Sequence, residues 1–440
     1  MFIADFHIHS KYSRATSPKT DLEHLSEFAK IKGIDILATG DFTHPQWLKE
    51  IKDNLEPAED GLYKVHPVKS RSAGILPEAK LFNRVKSAKE PTRFILSSEI
   101  SCIYSKAGSV RKVHIVVLAP SIEIVEKINT ELAKIGNLKA DGRPILGLDA
   151  KELAKIVLNV SQDCLIIPAH VMTPWFGVFG SKSGFDSLEE CFEDYTKYIY
   201  AMETGLSADP AMLWRLPDGR RTTLLSNSDA HSPGKLGREA NVFEGGEISY
   251  SALSSAIKIS RPRVSGDLKL AYTIEFFPQE GKYHYDGHRE CDVSLSPEES
   301  KKYNNICPVC GKPMTIGVMN RIDKLADKPE GFKPKDAVPF KCLVPLLEII
   351  GEALNVGPAS KRVAVQYNNL IEKVGTEFHI LLDAKQEDMA KATTPEIAEG
   401  IVRVRQGKVN VEPGYDGVFG KVRIFSKVEK KNFIKQKVLF

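Results

Sequence analysis

Seven short apolar runs, each followed by a polar or amphipathic stretch, constrain residues 1–265 more than any other feature of the chain. The runs are FIADFHIHS at 2–10, IDILATGDF at 34–42, RFILSSEIS at 93–101, KVHIVVLAP at 112–120, CLIIPAHV at 164–171, YIYAMETG at 198–205 and TTLLSNSDA at 222–230. Between or after them, residues 21–32, 121–135, 149–160, 187–197, 209–216 and 250–259 carry apolar residues at helical spacing. Asp149, ahead of Leu153 and Ile156, suits a helix N-cap. Repeated strand–helix alternation predicts an α/β fold with a parallel sheet. About seven units favour closure into a barrel over an open sheet.

The ends of these runs carry the chemistry. Asp5, His7 and His9 form a D-x-H-x-H run, and on a strand positions i, i+2 and i+4 share one face. Further along come Asp41 and His44, Glu99, His114, His170, and Asp229 with His231. Six of the eleven histidines fall at such positions. Parallel α/β folds gather chemistry at the C-terminal ends of strands, so these residues are expected to converge. Separately hydrogen-bonded core histidines would explain any one of them, but not the set. The set is too large for one tetrahedral ion and suits two or three ions with bridging carboxylates. Such clusters acidify a water and clamp an in-line displacement at phosphorus. The chain has neither a G-x-S-x-G elbow nor a GxxxxGK[ST] loop, so nucleophilic serine and P-loop chemistry have no motif here.

Together these motifs resemble those of the PHP (polymerase and histidinol phosphatase) family. The resemblance implies a distorted (β/α)7 barrel with a trinuclear centre that hydrolyses phosphoesters. By that analogy His7, His9, Glu99 and Asp229 share one metal, and Glu99 bridges to a second held by His114 and His170. A third would take Asp41 or His44 with His231. The second motif, usually an adjacent Asp-His, is spaced here as Asp41-Phe-Thr-His44, and KYSRATS lacks the further histidine many members have. Asp229 is the expected most sensitive ligand, able to bind metal and orient the attacking hydroxide held between metals; His7, His9 and Glu99 complete the catalytic set.

Residues 276–320 change character. His288-x2-Cys291 and, fifteen residues later, Cys307-Pro-Val-Cys310-Gly match the spacing of a two-knuckle zinc ribbon, with His284 a less suitable fourth ligand. A closed site of this kind is structural. The remaining cysteines, 102, 164, 191 and 342, stand in apolar contexts. Residues 321–400 read as helical, 401–425 as a small β element, and 426–440 as a basic tail. The expected organisation is therefore 1–270, a metal-dependent phosphoesterase barrel; 271–320, a zinc module; 321–425, a helical DNA-binding region with a small β element; then the tail.

Net charge is only +4, so a polyanionic substrate must be argued from local clusters. Residues 64–93 hold eight Lys/Arg, Lys69, Arg71 and Arg84 among them, against two glutamates. Lys235 and Arg238 follow Asp229, and Ser360 and Lys361 open a helix after Gly357-Pro358, where free backbone N–H groups suit a phosphate. Each cluster alone is more often a solvated surface; together they fit a backbone-tracking groove. After His170, Trp175, Phe176 and Phe179 alternate with glycines and could stack on an extruded base or cap the core.

The stretches KYHYDGHRECDVSLSPEE, CPVCGKPMTIGVMNRI and EPGYDGVFGKVRIF look like the endonuclease Q family of archaeal-type repair enzymes. That resemblance implies cutting of double-stranded DNA on the 5′ side of uracil, hypoxanthine, xanthine or an abasic site, with Mg²⁺ or Mn²⁺ for activity and Zn²⁺ in the module and cluster. The alternatives are a PHP-type small-molecule phosphatase, such as a histidinol phosphatase, and a DNA-binding accessory protein. Sliding-clamp docking is expected to use Q-x-x-[LIM]-x-x-aromatic-aromatic; Gln436 is followed by Leu439 and Phe440 without that aromatic pair. No run of 18 apolar residues or signal segment is present, and seven cysteines suit a reducing interior, so an intracellular, nucleoid-associated protein is expected.

Overall fold

The computed structural model describes residues 1–66, 91–259, 267–426 and 429. Strands β1 (Phe2–Asp5), β2 (Ile36–Ala38), β3 (Leu55–Pro57), β4 (Leu62–Val65), β5 (Arg93–Lys106), β6 (Ser109–Ala119), β7 (Ile145–Leu146) and β8 (Leu165–Pro168) come first. They are followed by β9 (Ala201–Glu203), β10 (Thr223–Leu225), β11 (Ala240–Glu244) and β12 (Lys269–Glu275). The expected helices lie where the periodicity puts them, at Leu22–Lys32, Ile122–Leu132, Ala150–Val160, Leu188–Phe192, Pro210–Leu213 and Tyr250–Lys258. Their ends follow from local chemistry. Asp21, Ser121, Asp149, Ser187, Asp209 and Ser249 accept first-turn backbone N–H groups. Gly33, at φ 84°, closes the first helix in the left-handed region.

The result is a mixed α/β fold around a central mixed sheet, which corrects the expectation of a parallel one. β1, β2 and β5 run parallel, but β6 is antiparallel to both β5 and β8, and β11 is antiparallel to β1 and β12. The physical reason lies in the two-residue turn Ala107-Gly108, both at positive φ, between Lys106 and Ser109. So short a loop can join only antiparallel strands. The register of that hairpin pairs Ser101 with His114. Glu99, two residues from Ser101, therefore shares a sheet face with His114. Both residues sit well inside long strands, not at the expected strand ends.

C-terminal to this sheet, β13 (Asp286–His288) and β14 (Val293–Leu295) form an antiparallel hairpin. β15 (Phe340–Cys342), inside a stretch read as helical, instead adds in parallel to β12. Helices Leu346–Leu354, Lys361–Lys373, Glu377–Leu382, Gln386–Ala392 and Pro395–Arg405 follow. The predicted β element at 401–425 shrinks to β16 (Asn410–Glu412) and β17 (Lys421–Arg423), because Ile401–Arg405 completes the last helix. One apolar cluster runs from Ala4 to Phe425, so the C-terminal helices share the core of the main sheet. A buried Lys32–Glu377 ion pair at 2.9 Å crosses that junction. A second, small cluster holds only Val293, Cys307 and Met314 beneath Cys291 and Leu295. No helix among the described residues is long and apolar enough to cross a membrane.

Candidate metal centre

The loop after β1 starts the site. The Asp5 carboxylate, expected on the ligand face, instead accepts the backbone N–H groups of Ser228 (3.0 Å) and Gly237 (3.1 Å). It thereby ties the segment carrying His7 and His9 to the loop carrying Asp229. Nδ1 of His7 lies 3.0 Å from both oxygens of Glu203, and Nδ1 of His9 lies 3.0 Å from Asp41 Oδ1. Ionised carboxylates only accept, so each Nδ1 carries a proton, and each Nε2 is the atom left to offer a lone pair to a cation. Those two Nε2 atoms and Asp229 Oδ1 are buried without a hydrogen-bond partner. Buried polar atoms are rarely left so, and three lying together suit the donor set of a cation.

Ligand atoms of His7, His9, Glu99 and Asp229 all lie within 4.8 Å of one another, as do those of Glu99, His114 and His170. Glu99 belongs to both groups. Its Oε2 is 3.2 Å from His9 Nε2, while its Oε1 is 2.7 Å from His114 Nδ1 and 3.1 Å from His170 Nε2. The two donor sets, mixed nitrogen and oxygen around one shared carboxylate, fit two adjacent divalent ions. Burial opposes charge on Glu99 and Asp229, but the surrounding histidines outweigh it and hold both carboxyls well below the ordinary range. At His114 burial wins over Glu99 and lowers the imidazole to about 4. Asp41, His170 and Asp229 all have positive φ, the local strain that functional sites accumulate.

Around Asp41, His44 and His231 no third such group forms among the described residues. Asp41 is fully engaged by His9, Ser10 and Ser13. His44 stacks on Tyr12 at 4.4 Å, and His231 lies against His9 at 4.5 Å with its Nδ1 near the Asp229 carbonyl.

Two residues of the centre went unread in the sequence. Glu203 ends β9 within AMETG, and an acid at a strand end was the available signal. Arg143 comes from an irregular loop, and nothing in its neighbours marks it; its Nη1 donates to Glu99 Oε2 at 3.1 Å.

A cavity of about 500 Å³ opens over the centre, lined by His114, His170, Asp229, Arg143, Trp175, Tyr283 and Phe419. Trp175 is 42% exposed and meets the Tyr283 ring edge-on at 5.6 Å. Phe176 also lines it, 4.3 Å from the His114 ring. Phe179, expected as a stacking residue, is fully buried and fills the core instead.

The phosphate candidates fare unevenly. Lys69, Arg71 and Arg84 lie outside the described residues. Arg238 gives Nε and Nη2 to the carbonyls of Ser228 (2.7 Å) and Asp229 (3.2 Å), so it braces the Asp229 loop. Lys235 pairs with Glu348 at 3.4 Å. Ser360 caps the helix Lys361–Lys373 through Val363 N–H, with Lys361 exposed beside it. Separately, ligand atoms of His288, Cys291, Cys307 and Cys310 converge within 4.8 Å, and Gly311, at φ 72°, turns the chain behind the second pair.

Comparison with known proteins bears on the whole chain. The model of the MJ0043 C-terminal domain matches residues 345–408. MJ0043 of Methanocaldococcus jannaschii is 35% identical over 57% of this chain, an alignment that spans only 31% of that relative's length. YqxK of Bacillus subtilis is 29% identical over 96% of this chain and 98% of its own. The lesion-specific endonuclease PfuEndoQ of Pyrococcus furiosus superposes with TM-score 0.81 at 31% identity, covering 98% of both chains. An endonuclease Q complex with a 27-mer duplex bearing an abasic lesion at its active site superposes with TM-score 0.80 at 31% identity over 97% of both.

Proposed function

The chain belongs to the endonuclease Q family, and we propose on that premise that it is a DNA-cleaving hydrolase directed to lesions, cutting the phosphodiester 5′ of uracil, hypoxanthine, xanthine or an abasic site. The observation that carries this reading is the pair of donor groups sharing Glu99, whose Asp229, His114 and His170 line a cavity of about 500 Å³, in a chain aligned end to end with a relative whose active site holds an abasic lesion.

His7, His9, Glu99 and Asp229 would hold one ion, and Glu99, His114 and His170 a second. When bound, such ions supply an acidified water at neutral pH and neutralise charge developing at phosphorus. The chain's own residues do the rest. Glu203 and Asp41 keep the Nδ1 protons of His7 and His9 in place, so both Nε2 lone pairs face the centre. Asp229, held by Arg238 through the loop carbonyls, is poised to orient the attacking water. Trp175 and Phe176 supply a wall for an extruded base, and a damaged base, weakly paired, costs less to extrude.

Zinc suits the His288/Cys291/Cys307/Cys310 set, as a staple for a module with little core of its own. Closure of the strands into a distorted (β/α)7 barrel is supported by backbone bonds from Val171 to Glu203 and from His9 to Ala230, which bridge the gaps between strand ladders. The division at 270, 320 and 425 stays with this reading. Substrate comparison tests it. Lesion duplexes should be cleaved with Mg²⁺ or Mn²⁺. Phosphate release from histidinol phosphate or p-nitrophenyl phosphate with no DNA cleavage would leave the small-molecule phosphatase standing.

A further inference from the structure

We infer that Arg143 is a catalytic residue that binds a non-bridging oxygen of the scissile phosphate; the inference rests on the nuclease reading above. Its backbone is fixed before any ligand arrives. Arg143 N–H donates to Asp141 Oδ1 at 3.1 Å, and the next residue's carbonyl, that of Pro144, accepts Ser101 N–H at 3.0 Å. The loop is thus pinned to β5 two residues from Glu99. From there the side chain, 26% exposed, reaches Glu99 Oε2 with Nη1 at 3.1 Å. That is the one hydrogen bond the guanidinium makes among the described residues. Arg143 lines the same cavity as Asp229, His114 and His170.

Charge decides what the guanidinium's other donors await. With two divalent ions in place, their charge is balanced by the carboxylates of Glu99 and Asp229, with Glu203 behind His7 and Asp41 behind His9. The Arg143 guanidinium, which cannot shed its proton, is then the charge in excess. Such an excess is stable only with an anion between the cations. A phosphodiester meets the requirement, and a planar fork matches its oxygens as a point charge would not. A donor already aimed at the phosphoryl oxygens strengthens as their charge grows in the transition state. Arg238 offers no substitute, since it does not line this cavity and braces the Asp229 loop, and Arg14 is 75% exposed and paired to Asp141.

The test uses the full chain loaded with Mn²⁺, comparing Arg143→Gln and Arg143→Lys with wild type. Bound manganese is measured by elemental analysis, and single-turnover cleavage on a lesion duplex with an oxygen or a sulfur at each non-bridging position. The expected result is a 10²–10³-fold slower step in Arg143→Gln, with unchanged manganese. One sulfur substitution should slow wild type and add little in Arg143→Gln, and Arg143→Lys should recover part of the rate. Guanidinium added to Arg143→Ala should also restore activity. Loss of manganese in proportion to rate would overturn the inference in favour of a structural role, and so would a sulfur effect undiminished in the variant. If wild type hydrolyses p-nitrophenyl phosphate but no DNA, the nuclease reading fails on its own. The Arg143→Gln contrast on that ester would then still decide the arginine's role.

Discussion

Replacing Glu203 by Gln perturbs the centre without removing a ligand from either donor group. The carboxylate takes His7 Nδ1 (3.0 Å), Asn227 Nδ2 (2.8 Å) and His170 N–H (3.0 Å), and it is buried. All three partners are donors. An amide keeps one acceptor and turns a new N–H₂ toward at least one of them. One buried donor left unpaired costs about 1–3 kcal/mol. Loss of a carboxylate behind a metal-ligating histidine costs about 10–100-fold in metal affinity, or ~1.4–2.7 kcal/mol. We therefore expect Mn²⁺ titration of Glu203→Gln by calorimetry to show a 10–100-fold weaker site, with cleavage restored by raising Mn²⁺. Unchanged affinity, or activity lost at saturating Mn²⁺, would refute the view that Glu203 acts by holding His7.

Trp175→Ala should reduce preference for lesion over intact duplex by about 1–3 kcal/mol, the worth of one base–aromatic stack, with metal content unchanged; competition cleavage reads this. Chelation, or Cys310→Ser, should raise hydrogen exchange across 283–317 while β1–β8 stay protected, because the module's own cluster is too small to fold alone. Burial pushes Glu275 up to about 7 against the hydroxyls of Thr273 and Thr204 that pull it down. The folded state therefore keeps a proton that the unfolded chain releases, and stability falls as pH rises from about 4.5 to about 7. The loss is on the order of 3 kcal/mol, and Glu275→Gln should flatten that slope in urea titrations at pH 5 and 7.5.

The helices and strands around the centre were legible because period and cap agree, as at Asp149. Sheet direction was not. Apolar runs in an antiparallel hairpin and in a parallel sheet look alike, and only the Ala107-Gly108 turn told them apart. The histidines and carboxylates of both donor groups could be read as a set because their residue types are costly to bury without a cation. Their supports were harder. Asp5 and Asp41 look like ligands in sequence, yet their oxygens are spent on backbone and on His9. Arg238 looks like a phosphate contact, yet it braces a loop. Which atom a polar group meets is decided by tertiary placement, which periodicity does not encode. Arg143 had no local pattern at all.

The most direct test of the account is nicking of end-labelled duplexes carrying uracil, hypoxanthine, an abasic site or no lesion, by wild type and by Asp229→Asn, with Mg²⁺ or Mn²⁺. A single cut 5′ to each lesion, absent from intact duplex and abolished in Asp229→Asn, is the predicted result. Cutting that ignores the lesion, or that survives in Asp229→Asn, would contradict it.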